Sequence, residues 1–190
     1  MNLILSKHKR ELVYWARKLN ARGLVAARSG NISKRASKGR VYLTCTGSYL
    51  GELSACDIVG LTLDGQKVSG RFDATSEKEL HLSVYRKFDD TGAVIHAHSP
   101  NTVAFFSRKS ALDLTSFEAE IYLGNVETVH QTTPTVTDTV PVIAALEKNN
   151  IVVLGHHGVI ARGLDLAAAY ALVEVLEEQA KINIALGNYR

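Results

Sequence analysis

The chain has 190 residues, of which 46% are apolar and 22% charged, with a formal net charge of +3. That size and balance suit one ordinary folded domain with a sizeable core and exclude an intrinsically disordered chain. No stretch approaches the roughly 18 consecutive apolar residues of a membrane span, and the apolar run at Met1–Leu5 is too short for a secretory signal. Two cysteines, Cys45 and Cys56, cannot form a disulfide framework, so a reduced, cytoplasmic protein is expected.

The elements, in chain order, begin with a helix over residues 7–22, where Leu12, Ala16 and Leu19 share one stripe and Gly23 suits the stop. A polar loop, Arg28-Ser29-Gly30-Asn31-Ile32-Ser33, follows, and residues 41–45 read as a strand. Residues 58–63 and 66–69 flank Asp64-Gly65, a hairpin signal. Ser76-Glu77-Lys78-Glu79 has the form of a capping box and predicts a second helix with Leu80, Val84 and Phe88 inward. Residues 92–97 form a strand. Ser99-Pro100 then opens a helix to about 107, and residues 138–149 give another. Two strands, residues 151–154 and 159–161, precede a last helix over 166–186, with Gly187 as its stop. The prediction is an α/β chain: one domain over 1–190, in three layers, helix/sheet/helix, around a mixed, largely antiparallel sheet.

The charge is unevenly spread. Residues 1–40 hold eleven Lys and Arg against one acid, Glu11, a net of +10, and the remainder holds eleven against eighteen, a net of −7. This asymmetry suits an anionic partner such as nucleic acid, an acidic membrane surface or a phosphorylated small molecule. The alternative is a solvated helix face followed by a basic loop. Against nucleic acid, no aromatic pattern interleaves these basic residues beyond Tyr14 and Trp15.

The chemistry points to histidines at strand ends. His96 and His98 sit two apart on a strand and therefore share a face. Two adjacent imidazoles repel if protonated and leave four ring nitrogens to satisfy if neutral, which a shared metal ion resolves. The alternative is two independently hydrogen-bonded histidines. His156 and His157 end the next apolar strand, and as sequential residues they face opposite ways, so at most one is a ligand. His8, His81 and His130 lack such a context and are assigned surface or packing roles. Glu77, at a helix start, is a further metal or acid/base candidate, favoured there by the helix dipole. Ser29-Gly30-Asn31 and Thr46-Gly47-Ser48 are small polar loops that can aim N–H groups at phosphate, with Thr75 and Ser76 adding donors at a helix start.

Taken in order, these segments resemble the class II aldolase/adducin family. The segments are Ser29-Gly30-Asn31-Ile32-Ser33, Thr46-Gly47-Ser48, Thr75-Ser76-Glu77 with His81-Leu82 and Tyr85-Arg86, His96-Ala97-His98-Ser99, and His157-Gly158. The resemblance covers nearly the whole chain and is carried by the ordered set rather than by any one piece. It implies one divalent metal per subunit, usually zinc, on His96, His98 and His157, with Glu77 a ligand of the free enzyme and then the base. It places substrate phosphate at Asn31, Thr46, Gly47, Thr75 and Ser76, where Thr75 replaces a common serine. It further implies a homotetramer with active sites between subunits.

The activity so implied is cleavage of a ketose 1-phosphate to dihydroxyacetone phosphate and an aldehyde through a metal-stabilised enediolate. Family members also include a methylthioribulose-1-phosphate dehydratase and a ribulose-5-phosphate 4-epimerase, and the adducin branch is non-catalytic but lacks the complete metal set. A second acid/base is sought in residues 117–124, where Glu120 stands four before Gly124 and Phe117 or Tyr122 falls near the family's catalytic tyrosine. A phosphorylated sugar, reaching from the basic first segment to the histidines, is the partner these residues favour over nucleic acid or membrane.

Overall fold

The computed structural model describes residues 2–37 and 39–188, with side chains described from Lys7 onward. Its strands are β1 (Asn31–Ser37), β2 (Arg40–Thr44), β3 (Ile58–Thr62), β4 (Lys67–Ser69), β5 (Ala93–Ala97), β6 (Glu127–Val129), β7 (Ile151–Leu154) and β8 (Gly158–Gly163). Its helices are α1 (Asn2–Ala21), α2 (Lys78–Lys87), α3 (Pro100–Phe106), α4 (Phe117–Tyr122), α5 (Val140–Leu146) and α6 (Leu166–Ala185). Among the described residues no helix is long and apolar enough to cross a membrane, and both cysteines are free.

The strands form one eight-stranded sheet in the order β4-β3-β2-β1-β5-β8-β7-β6. Every neighbouring pair is antiparallel except β6 and β7. Strand alternation divides the core in two. Ile32, Ile95, Ala97, Val159 and Ala161 pack on α1, α3, α4 and α6. Val41, Leu43, Val94, Val152 and Ile160 pack on α2 and α5. The predicted helix/sheet/helix layering with a mixed, largely antiparallel sheet is what the chain forms.

Several boundaries differ from expectation, each for a physical reason. Asn31, Ile32 and Ser33 are strand, not loop, because β1 pairs with both β2 and β5. The left-handed turn lies just before them at Gly30, whose φ is +77°. A Cβ there would lie 2.9 Å from the His96 carbonyl oxygen, so this close approach requires glycine. The Ser76–Glu79 capping box does not form. Glu77 is the N-cap residue of α2 and makes no capping bond, while Glu79 pairs with Arg86. Phe88 is the C-cap residue of this helix, and its half-buried side chain packs on the same cluster as Leu80 and Val84, as expected. A capping box does form at Ser54 and Asp57. The sequence reading missed α4 and β6, which are six and three residues long.

The structure also accounts for most of the basic first segment. Lys9 and Arg17 donate to loop carbonyls at Ala55, Ile58 and Leu53. Lys34 pairs with Glu11, and Arg22 with Glu174. Lys18 lies over the Trp15 and Tyr170 rings. Arg35 donates to the carbonyls of Tyr85, Phe88 and Thr91, closing the C-terminal end of α2. These charges serve the fold, and the expected basic reach to a ligand narrows to Arg28, which stacks on Tyr49 with 5.0 Å between guanidinium carbon and ring centre.

One buried carboxylate fixes the layer opposite the histidines. Glu177 of α6 accepts from the backbone N–H groups of Asn101 and Thr102 and from both of their side chains, at 2.8–3.0 Å. It therefore caps α3 from a neighbouring helix, satisfying donors that Pro100 and Ser99 leave open. Glu177→Ala strands these groups and should lower stability by about 2 kcal/mol. Denaturant unfolding of the metal-free protein checks this, and an unchanged midpoint would contradict the capping role.

Candidate metal centre and its flanking cavities

β5 delivers His96 and, just past its end, His98 to the face covered by α2 and α5, because Val94 on the same face packs in that core. The turn between β7 and β8 delivers His157. Gly158 follows it where a Cβ would run into the Ala97 carbonyl, so the two strand ends approach at backbone contact. His156 takes a left-handed conformation, φ +59°, and its side chain is exposed and stands outside the cluster of ring nitrogens. Spacing alone left open which of these two histidines faces the others, and the resemblance implied His157; it is His157 whose ring joins those of His96 and His98.

The three rings stand in a triangle with centroids 4.7 Å apart in every pair. One ring nitrogen from each lies within 4.8 Å of the others. His96 donates its Nδ1–H to the Val159 carbonyl at 2.9 Å, which turns the lone pair of its Nε2 toward the His98 Nε2, also 2.9 Å away. Fixing the far nitrogen on a backbone carbonyl is the usual way a ligating imidazole is oriented. Burial, reinforced by His98 and His157, lowers the pKa of His96 well below the ordinary value. Burial and His157 bring His98 to about 4. Both are therefore neutral at pH 7 and offer lone pairs. Three imidazoles with converging nitrogens fit a borderline-soft divalent ion such as zinc, whose tetrahedral nitrogen ligands stand about 3.3 Å apart.

Glu77 lies beneath the triangle and is buried. Its Oε2 is 3.1 Å from the His96 Nε2 and its Oε1 3.9 Å from the His157 Nε2. The carboxylate also accepts from the Val136 N–H at 3.3 Å and from the Asn31 Nδ2 at 3.2 Å. Asn31 reaches it because β1 pairs antiparallel with β5 in a register that sets Asn31 directly opposite His96.

Two cavities open on this centre. The first, about 170 Å³, is lined by all five predicted phosphate positions, Asn31, Thr46, Gly47, Thr75 and Ser76, together with Arg28, Glu77, His98 and His157. Gly47 has φ +68°, which lets the Thr46-Gly47-Ser48 turn present its backbone to the cavity. The Asn31 amide, however, is already engaged with Glu77 and His81. The second cavity, about 490 Å³, lies on the other side and is lined by His98, His156, His157 and residues 131–134.

Glu120 and Tyr122 are not brought to this site within one chain. α4 belongs to the opposite layer, where Ala119 packs in the core, and both side chains are exposed. Conversely, the surface or packing role given to His81 is corrected: it is not on the surface, and packing alone does not describe it. It is fully buried and bonded to Ser33 and Asn31 beside the centre. The signal was present in the spacing: Glu77, His81 and Tyr85 recur at four-residue intervals and fall on one helix face.

Residues 10–184 match the family model described as Class II Aldolase and Adducin N-terminal domain. The L-fuculose phosphate aldolase of Methanocaldococcus jannaschii is 36% identical over 187 residues, covering 93% of this chain and 95% of that protein. The structure of L-fuculose-1-phosphate aldolase from Thermus thermophilus superposes with a TM-score of 0.87 at 29% identity, covering 97% of this chain and 96% of that one. A methylthioribulose-1-phosphate dehydratase of Acidiphilium cryptum is 36% identical over 96 residues, 50% of this chain and 46% of that protein.

Acid should loosen this centre. Burial holds His81 neutral to about pH 3, and His98 to about 4, whereas unfolded histidines take up protons near 6.5. Between those values the unfolded chain binds more protons, so stability is full above 6.5 and declines as the pH falls. Urea unfolding of metal-free protein should show a decline on the order of 1 kcal/mol per pH unit from His81 alone. A midpoint constant from pH 7 to 4.5 would contradict it.

Proposed function

The chain belongs to the class II aldolase and adducin family, and from that premise we propose a zinc-dependent aldolase that cleaves a ketose 1-phosphate to dihydroxyacetone phosphate and an aldehyde. It is an enzyme of the lyase class, and the aldol chemistry is our reading of its site. The observation that carries it is a buried carboxylate, Glu77, set beneath three converging imidazoles and facing a cavity lined by hydroxyls and a glycine turn.

His96, His98 and His157 would hold the ion, with Glu77 beside it in the free enzyme. When bound, the ion supplies Lewis acidity to the substrate carbonyl and its neighbouring hydroxyl. The chain's own groups do the rest. Thr46, Gly47, Thr75 and Ser76 receive the phosphate, aided by the N-terminal end of α2, with Arg28 at the mouth. In the condensation direction Glu77 takes the proton from the carbon next to the carbonyl of dihydroxyacetone phosphate, and in cleavage it returns it. The wider cavity beside His157 and residues 131–134 has room for the aldehyde half.

Glu120 and Tyr122 can serve as the second acid/base only from a neighbouring subunit. α4 exposes Phe117 by 81% and Ile121 by 77%, and apolar exposure of this kind supports a subunit contact. A homotetramer with active sites between subunits is therefore part of the proposal, as is a cytoplasmic location. The resemblance to the dehydratase, and Glu120 four residues before Gly124, favour dehydration of a related sugar phosphate as the second reading.

Metal analysis of protein reloaded with zinc should give about one ion per chain, falling sharply in His96→Ala and His98→Ala. No bound metal in the reloaded protein would overturn the centre. Incubation with dihydroxyacetone phosphate and a panel of aldehydes should give condensation products. Absence of condensation, with dehydration of a methylthioribulose-type substrate, would select the second reading. Glu77→Gln should keep the fold and lower turnover by about 10²–10⁴-fold, and unchanged turnover would exclude it as base.

A further inference from the structure

Beneath the metal centre lies a line of buried polar side chains to which the chemistry above gives no part. Ser33, His81 and Tyr85 are each 0% exposed. His81 and Tyr85 lie four apart on α2, one turn and two turns beyond Glu77, and face β1, where Asn31 and Ser33 lie two apart on one face. The two periods mesh, and each helix residue meets its strand counterpart. The Ser33 Oγ is 2.9 Å from the Tyr85 hydroxyl and 2.7 Å from the His81 Nδ1. The His81 Nε2 meets the Asn31 Oδ1, and the Asn31 Nδ2 meets the Glu77 Oε2 at 3.2 Å.

Only one arrangement of protons satisfies all these contacts. A carboxylate oxygen accepts, so the Asn31 amide must present its NH₂ group to Glu77 and its oxygen to His81. His81 must then carry its proton on Nε2 and accept at Nδ1 from the Ser33 hydroxyl, which in turn accepts from Tyr85. The flipped amide would set two acceptors, Asn31 Oδ1 and Glu77 Oε2, 3.2 Å apart in a buried site. Burial keeps His81 neutral, as this pattern requires.

We propose that Tyr85, Ser33 and His81 form a positioning chain that locks the Asn31 amide with its NH₂ toward Glu77, holding that carboxylate oriented beneath the three imidazoles. This rests on the reading of Glu77 as base and metal neighbour. It assigns Asn31 a second task besides phosphate contact. The amide carries two N–H groups; one is used on Glu77, and the residue also lines the phosphate cavity. A substrate phosphate held by the other N–H would thus be mechanically joined to the base. His81 is a positioning residue, since its polar contacts are to Asn31 and Ser33.

Long-range proton–nitrogen spectra of the histidine rings in the metal-free protein test the proton arrangement without any activity. A neutral His81 protonated at Nε2 is expected, and protonation at Nδ1 overturns the proposal. Zinc affinity by chelator competition and steady-state kinetics of the zinc-loaded enzyme test the consequence. His81→Leu should weaken zinc by about 10–100-fold and lower kcat by at least about 10-fold, while His81→Gln, which keeps an N–H donor, should recover much of both. Asn31→Ala combined with His81→Leu should lose no more than the worse single change, because both break one chain. Additive losses, or a folded His81→Leu enzyme with zinc affinity and kcat within twofold of the parent, overturn it. Where His81→Leu does not fold, Tyr85→Phe and Ser33→Ala carry the same test, with losses of about two- to tenfold expected and none contradicting. Should no aldol or dehydration substrate turn over, the proposed activity falls, while the ring spectra and zinc affinities still decide this chain of contacts.

Discussion

Glu77 and three imidazoles share one small volume, with Glu77 and His96 buried and His98 and His157 at its cavity-lined edge, and polar groups buried there need partners. The neighbouring structure meets that demand for Glu77 and His96, while the Nδ1 of His157 is buried without a hydrogen-bond partner among the described residues. The β1–β5 register sets Asn31 against His96, and the β5–β8 register sets the Val159 carbonyl within reach of the His96 ring. The backbone approach at Gly158 and Ala97 draws His157 into the triangle. Even the broken capping pattern of α2 follows from it. Glu77 gives up a capping role because its oxygens are held by Asn31 and the Val136 N–H.

The two sheet faces divide the work accordingly. On the α2 and α5 side the polar residues of β1 and β5 build the centre, and the apolar ones continue the core beyond it. On the other side a larger apolar cluster under α1, α3, α4 and α6 supplies the burial that holds the strands in register. Glu177 repeats the logic there in a structural role, a buried carboxylate made tolerable by four donors at the start of α3. One carboxylate caps a helix from outside, and the other gives up capping its own.

Much of this was legible because it rests on short-range periodicity. His96 and His98 share a face by the period-two rule, and the long helices and the Asp64-Gly65 hairpin follow from pattern and turn chemistry. What escaped depends on contacts distant in sequence. Asn31 read as loop because Gly30 and small polar neighbours dominate the window, while its partners lie 65 residues away in β5. His81 looked unremarkable until α2 was laid on β1. α4 has six residues and one buried side chain, Ala119, so no amphipathic stripe announced it. The charge excess over residues 1–40 overstated the ligand side of the story, since Lys9, Arg17, Arg22, Lys34 and Arg35 are bound within the fold.

The account turns on whether one metal ion sits among His96, His98 and His157. Zinc-edge X-ray absorption of the zinc-loaded protein addresses this without reference to any substrate. Three imidazole nitrogens at about 2.0–2.1 Å, with the multiple scattering of intact rings, are expected. A first shell containing sulfur at about 2.3 Å, or oxygen scattering with no imidazole signature, would contradict it.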